Sequence, residues 1–296
     1  MATHFYLMEA IIYHRVDWDG YTSAAVALKA FPNASLFGWT YGDPVPNVSS
    51  FDKVILVDLS LPEDWMLTNA SKLIWIDHHK NTIETLQQNK VLWSVPGVRR
   101  DGIGACALAW EYFFPGVQMP AHVSAAACAD VMNRSKGLTN LKIAITYSLY
   151  LDTFGPGFVR PVGDVSRYHI VQALRLLDDM EAAEGFVKAN ELETKRFEHE
   201  TKLFENAIEC KIDGFNACVL HIDGRPNACI MSHLLKNTHD VFVCIVDKVE
   251  DKYKISLRVP YESKFDASEF CRRFGGNGHI KAAGCLMSEE EIQSLL

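Results

Sequence analysis

The stretch Leu73-Ile74-Trp75-Ile76-Asp77-His78-His79 sets the frame for reading the chain. Its apolar run suits a strand covered on both faces, the pattern of a buried parallel sheet. The acid and the paired histidines then fall where the strand leaves the sheet. Val54-Ile55-Leu56-Val57-Asp58 repeats the arrangement upstream, an apolar run ending in a carboxylate. Ala10-Ile11-Ile12-Tyr13 does so again and is followed by His14-Arg15-Val16-Asp17-Trp18-Asp19-Gly20. Leu36 to Trp39 reads as a further short strand. Thr22 to Phe31 reads as a helix ended by Pro32, and Ile103 to Phe114 as another ended by Pro115-Gly116, because proline cannot continue a helix. Strand–helix alternation at this spacing predicts an α/β fold with a doubly wound, mainly parallel sheet.

The character changes from about Thr139, where helical patterns take over. Glu181 to Cys210 reads as a charged helical connector with Phe197, Phe204 and Ile208 on one face. Asp213-Gly214 breaks it. Ala217 to Ile222, Val241 to Val246 and Tyr253 to Val259 then read as strands, with a short helix from Ala267 to Arg273. The expected division is a first domain over residues 1–180, a connector over 181–210 and a smaller α/β domain over 211–296.

Length agrees with that division, since 296 residues at about 150 per domain make two domains. With 48% hydrophobic and 22% charged residues, disorder and coiled-coil rods are excluded. Acidic residues outnumber basic ones 37 to 29, a formal net charge of −8. That excess opposes the grip on long duplex DNA that counterion release rewards. Short or singly held nucleotides are not excluded. The eight cysteines are scattered with no C-x-x-C pair, so no disulfide framework is expected. No apolar stretch is long enough to cross a membrane and no leader pattern is read, which gives a cytoplasmic expectation.

The acids and histidines carry the chemistry. In open α/β sheets, ligands bind beyond the carboxyl ends of the strands. Carboxylates gathered there repel one another unless something positive sits among them. His14, Asp17, Asp19, Asp58, His78 and Asp130, the last within Ala129-Asp130-Val131, make two histidines and four carboxylates. With one carboxylate bridging, that set holds a pair of metal ions. Imidazole and carboxylate without thiolate favour manganese, magnesium, iron or cobalt over a structural zinc. Two such ions about 3.5–4 Å apart would activate a bridging hydroxide for in-line attack on a phosphoryl group. Each residue alone has a plainer account: Asp58 as a turn residue or helix cap, Asp17 and Asp19 as turn residues, His14 as a satisfied polar neighbour. Their joint occurrence at successive strand ends is what argues for a metal centre.

Asp77-His78-His79 after an apolar strand, the His14–Gly20 segment and Asp58 between them resemble the DHH phosphoesterase family. The run Gly275-Gly276-Asn277-Gly278-His279-Ile280-Lys281-Ala282-Ala283-Gly284 resembles the glycine-rich signature of the DHH-associated C-terminal domain, and Ile255-Ser256-Leu257-Arg258 the strand before it. The resemblance implies a two-domain hydrolase with two divalent ions, manganese first and magnesium or cobalt as alternatives, in a cleft between the domains. It implies that His14 and Asp17 hold one ion, Asp19, His78 and Asp130 the other, and that Asp58 bridges. Asp152 in Leu151-Asp152-Thr153 is a rival to Asp130, because Asp-Thr also looks like the family's fourth acidic motif. His79 would face the substrate phosphate, with Asp77 holding a histidine in one tautomer.

The C-terminal run has its own physical reading. Gly275, Gly276 and Gly278 free the backbone to surround an anion, His279 adds a donor, and Arg258 offers a fork matched to phosphate. A tight turn with no ligand is the plainer reading of such a run. Arg99 and Arg100 read as surface arginines of a polar loop. The expected substrates are short oligonucleotides or 3′-phosphoadenosine 5′-phosphate. A cyclic dinucleotide phosphodiesterase, a single-strand exonuclease and a non-catalytic nucleotide-binding regulator are the alternatives. A pyrophosphatase fits less well, since its branch of the family resembles a different C-terminal domain. Long duplex DNA and membranes are not expected partners, and a homodimer is left open.

Overall fold

The computed structural model describes residues 7–131, 143–148, 150–151, 166–189, 204–222, 234 and 236–296. They fall into two compact units, Met1–Ala127 with Leu151–Gly185, and Cys128–Tyr150 with Phe186–Leu296.

In the first unit, β1 (Glu9–His14), β2 (Ser35–Trp39), β3 (Lys53–Val57) and β4 (Leu73–Ile76) form one sheet in the order β2-β1-β3-β4. Every pairing is parallel. Ala10 and Ile12 of β1, Val54 and Leu56 of β3, and Leu73 and Trp75 of β4 enter one core with Met66, Leu86 and Leu92. Those three come from α2 (Glu63–Asn69), α3 (Lys80–Leu86) and α4 (Lys90–Trp93). The alternate residues Ile11, Tyr13, Ile55, Val57 and Ile76 are buried too. On that other face α1 (Trp18–Ala30) packs against β1 and β3, and α5 (Ala105–Phe113) against β3 and β4. Both faces being covered is why these strands read as unbroken apolar runs. Because β2 lies on one side of β1 and β3 on the other, the chain reverses direction across the sheet between β1 and β3. That switch point is where an open α/β sheet forms its crevice.

Packing on α1 is close. His122, in α6 (Ala121–Asp130), is fully buried, and its Nε2 lies 2.8 Å from Thr22 Oγ1. A Cβ on Gly104, just before α5, would come within 2.5 Å of Ala127 Cα. A further helix, α7 (Ser166–Leu176), also packs on α1.

The second unit is built on a six-stranded mixed sheet, order β5-β6-β7-β8-β10-β9. Its strands are β5 (Ile208–Ile212), β6 (Phe215–His221), β7 (Val241–Val249), β8 (Lys252–Arg258), β9 (Asn277–Gly278) and β10 (Ala282–Ser288). The pair β6–β7 is parallel and the other pairs are antiparallel. The helices α8 (Ala267–Arg272) and α9 (Glu289–Gln293) also belong to it.

One expectation needs correcting. The sequence predicts a connector helix reaching Cys210, but Ile208–Ile212 is a strand, paired antiparallel with β6. Asp213 and Gly214 both take positive φ, 52° and 85°, the geometry of a two-residue hairpin turn. Asp213-Gly214, expected to end a helix, is therefore the loop of a hairpin. Phe197 lies outside the described residues. Phe204 packs edge-on against Phe242 at 6.3 Å.

Burial pushes the His122 pKa down to about 3. The unfolded chain takes up that proton near the ordinary histidine value of about 6.5 and the folded chain does not. This contribution to stability is complete above that value and shrinks as pH falls towards 3. Denaturant midpoints between pH 7 and 4 should fall less steeply for His122→Gln than for the wild type. Equal slopes would show that His122 is not held neutral.

Candidate metal centre

His14 ends β1 and Asp58 follows β3, so the switch point itself places these two side chains side by side. Asp58 adopts φ 61°, a left-handed conformation that costs about 1 kcal/mol for a residue with a side chain and that Asp tolerates better than most. Its side chain is fully buried. His14 Nδ1 lies 3.4 Å from Asp17 Oδ2 and 3.6 Å from Asp58 Oδ2. His78 Nε2 lies 2.9 Å from Asp58 Oδ1 and 3.3 Å from Asp19 Oδ2. Two sets of donors result, His14 with Asp17 and Asp58, and Asp19 with Asp58 and His78, each with its ligand atoms within 4.8 Å of one another. Asp58 is common to both.

Local rules deliver each member. Asp17 is the N-cap of α1, its Oδ1 accepting the Gly20 N–H at 2.9 Å, as expected of a cap. Gly20 has to be glycine, since a Cβ there would stand 1.9 Å from the His14 carbonyl oxygen. Asp19 accepts the Ala105 and Cys106 N–H groups at 2.7 and 2.8 Å, so it seats the first turn of α5 as well as facing His78. A carboxylate is favoured at a helix N-terminus.

The neighbouring histidines are anchored differently. His78 Nδ1 is 2.9 Å from the Ile103 carbonyl oxygen, which can only accept, so Nδ1 carries the proton. Nε2, with its lone pair free of the proton, is then the atom turned to Asp19 and Asp58. His79 Nδ1 donates instead to Asp77 Oδ1 at 2.7 Å. Asp77 also accepts from the His78 and His79 N–H groups and, at 2.6 Å, from the Ser60 hydroxyl. Burial opposes the charge on Asp77, but His79 and the hydroxyl hold its pKa below the usual carboxylate range. The His79 pKa is raised, burial opposing and Asp77 outweighing it. At His14 burial likewise opposes, yet Asp17 and Asp58 push the value up to about 10. Asp58, despite burial, is held low by His14 and His78.

These residues fit a divalent cation. Asp58 Oδ1 and His14 Nδ1 are buried without a hydrogen-bond partner, although a ring nitrogen stands 2.9 Å from that oxygen. A ring proton is therefore not directed along the contact. Buried polar atoms that converge but do not hydrogen-bond one another are what metal ligands look like without their ion. The donors are imidazole nitrogen and carboxylate oxygen alone, a set suited to manganese or magnesium.

Asp130 is in the second unit, where its Oδ2 is 3.6 Å from His279 Nε2. Asp152 lies outside the described residues. The glycine run has structural duties of its own. Gly276 N–H donates to the Cys271 carbonyl at 2.8 Å and Gly275 N–H to the Arg272 carbonyl at 3.1 Å, with Gly275 at φ 70°. Together these bonds close the end of α8 as a Schellman motif does. A Cβ on Gly278 would come within 2.5 Å of Ala283 Cα. Arg258 Nη1 donates to Ser256 Oγ and to the Leu257 carbonyl. His279 is buried and exchanges backbone hydrogen bonds with Ala282. Arg99 is packed between Trp75 and Trp93 at 4.9 and 5.1 Å and donates to three backbone carbonyls. Arg100 pairs with Glu111. Sequence reading missed the part played by Ser60, for which the only signal is a hydroxyl two residues beyond Asp58.

No family model matches the chain, and no curated protein matches it by sequence. Among solved structures, a pGpG-specific phosphodiesterase, PggH from Vibrio cholerae, is similar at 14% identity, with a TM-score of 0.52 over 97% of this chain and 95% of that one. Exonuclease RecJ bound to manganese is similar at 17% identity and TM-score 0.46, covering 97% of this chain and 88% of that one. RecJ with Mg2+ from Thermus thermophilus gives 18% and 0.47, covering 97% and 48%. The likeness to PggH runs almost end to end, and the fold is that of the DHH phosphoesterases.

Gly20→Ala should lower unfolding free energy by about 1–3 kcal/mol, the usual cost of forcing an atom into a packed contact. Urea denaturation reads it, and a change under about 0.5 kcal/mol would contradict the close approach of α1 to His14.

Proposed function

We propose that the chain is a metal-dependent phosphoric ester hydrolase acting on short 5′-phosphorylated oligonucleotides, 3′-phosphoadenosine 5′-phosphate, or both. The observation that carries this reading is the sharing of buried Asp58 by two donor sets. In the proposal His14 and Asp17 hold one divalent ion and Asp19 and His78 the other, with Asp58 between them. Asp130 or Asp152 completes the second set. Manganese is the first choice of ion, with magnesium or cobalt as substitutes. Bound there, the ions would supply neutralising charge for the phosphoryl group and a more acidic attacking water, as paired ions do in in-line displacement.

The chain's own residues do the rest. Asp77 fixes His79 so that its Nε2 edge is presented for hydrogen bonding or proton transfer to the ester oxygen. Arg258 and His279 would hold the terminal phosphate through side-chain donors that phosphate accepts well, with Gly275, Gly276 and Gly278 giving the turn before His279 its shape. On this reading residues 1–180 form the metal-binding domain and 211–296 the substrate domain. Net charge supports a short substrate over a long strand, which calls for an extended basic groove. PggH, which shares the fold, is named for a linear dinucleotide, so a 5′-phosphorylated dinucleotide is the first substrate to test.

Asp58→Asn keeps the side-chain shape and tolerates positive φ while removing the charge. It should cut manganese uptake from two ions per chain to fewer than one and lower turnover by roughly a thousandfold. Loss of one ion with the other retained would refute a shared ligand. Failure of the wild type with manganese to release product from the dinucleotide, 3′-phosphoadenosine 5′-phosphate, a cyclic dinucleotide or single-stranded DNA would refute the hydrolase.

Arg258→Ala should raise KM about tenfold with metal content unchanged, and metal loss would place the arginine elsewhere. Asp130→Asn and Asp152→Asn, compared by metal analysis, identify the fourth carboxylate.

A further inference from the structure

The turn after β2 displays an aromatic ring beside the donor cluster. Tyr41 is 51% exposed, and its ring centroid lies 6.3 Å from that of His14, edge to face. Buried Trp39 packs against it at 5.2 Å with the ring planes 64° apart. The turn itself is locked by polar contacts. Asp43 N–H donates to the Thr40 carbonyl at 3.0 Å, and Thr40 N–H to the Asp43 carboxylate at 3.0 Å. Gly42 supplies the φ of 99° that the third position of this turn needs. The Trp39 indole N–H donates to the Asp43 carbonyl at 3.1 Å. Arg15 closes a fork on the Asp43 carboxylate at 2.9–3.1 Å. Register fixes the placement, because His14 pairs with Trp39 across the β1–β2 ladder.

A tyrosine on an ordinary surface loop needs none of this. Here both hydrogen-bonding ends of the turn, an indole and a guanidinium hold the backbone on either side of one exposed ring. That ring is rigid, flat and loses little conformational freedom on contact. A nucleobase is the flat partner that a phosphate ester seated at His14 would bring with it. Base–aromatic stacking works for every base, since each has a π face.

We propose that Tyr41 is a stacking platform that positions the nucleobase adjoining the scissile phosphate, so that the site prefers nucleotide esters carrying an unpaired base. The proposal rests on the hydrolase reading for its choice of ligand. It makes Tyr41 a positioning residue, and paired bases in a duplex would not reach it.

The test separates the two readings by measuring binding apart from turnover. A phosphorothioate-linked, 5′-phosphorylated dinucleotide and its abasic twin are titrated in manganese against the wild type, Tyr41→Ala and Tyr41→Trp. The wild type should bind the base-bearing ligand roughly tenfold more tightly than the abasic twin. Tyr41→Ala should lose that advantage without changing its affinity for the abasic twin, and Tyr41→Trp should restore it. A 2-aminopurine base should be quenched on binding to the wild type and to Tyr41→Trp, and not to Tyr41→Ala. With the ordinary phosphodiester, Tyr41→Ala should raise KM about tenfold and leave kcat within about twofold. Equal weakening of both ligands, no weakening of either, or a wild type that does not tell them apart overturns the role of Tyr41. Absence of turnover by the wild type overturns the hydrolase reading instead, and the binding comparison still decides the role of Tyr41.

Discussion

The structure of the first unit turns on one constraint, the burial of Asp58 between two histidines at the reversal point of a parallel sheet. A carboxylate taken out of water is tolerated only when opposite charge or directed donors compensate it. His14 and His78 approach it from β1 and from the end of β4, and neither makes a hydrogen bond to Oδ1. The two rings hold the carboxylate ionised, yet Oδ1 has no directed donor. A cation in that space would take up that oxygen, and three elements of the fold are already arranged around it. The left-handed backbone at Asp58 belongs to the same arrangement, since a residue continuing the strand would turn its side chain to a covered face of the sheet.

The neighbours of the cluster serve stability and site at once. Asp17 starts α1 while facing His14, and Asp19 takes the first amides of α5 while facing His78. The helix that covers β3 and β4 is thereby tied to the position of a donor. Removing either carboxylate would disturb a helix start as well as the electrostatics. Gly20 shows the same economy in the backbone, because only the absence of a Cβ lets α1 begin so near the His14 carbonyl. Cluster and scaffold are built from the same residues.

That overlap explains how far the sequence could be read. The strands were legible because both faces of the sheet are buried, which leaves an unbroken apolar run with a polar residue at its end. Asp58, His78 and the His14–Gly20 segment were legible for the same reason. Roles that depend on distant backbone were not. Nothing in Asp19 announces that it will accept from Ala105 and Cys106, nor in Arg99 that it will be held between Trp75 and Trp93. The hairpin at Asp213-Gly214 was mistaken for a helix end because a positive-φ pair terminates a helix and joins two strands equally well, and only the pairing of Ile208–Ile212 with β6 distinguishes them. Gly275 and Gly276 invited an anion-binding reading, yet their amides close α8. Any contact with phosphate has to use groups that this closure leaves available.

His78 and His79 show how one dipeptide yields two chemistries. Both rings are oriented through Nδ1, but the acceptors differ. A carbonyl oxygen behind His78 fixes the tautomer without adding a full charge, which suits a neutral imidazole giving its Nε2 lone pair to a cation. A carboxylate behind His79 raises the affinity of the ring for a proton, which suits an imidazole that holds one at Nε2 near a developing negative charge. Ser60 strengthens the contrast by donating to the far oxygen of Asp77 and keeping that carboxylate ionised. The difference between the two rings therefore lies in what stands behind them, the Ile103 carbonyl and the Asp77 carboxylate, more than in the histidines themselves.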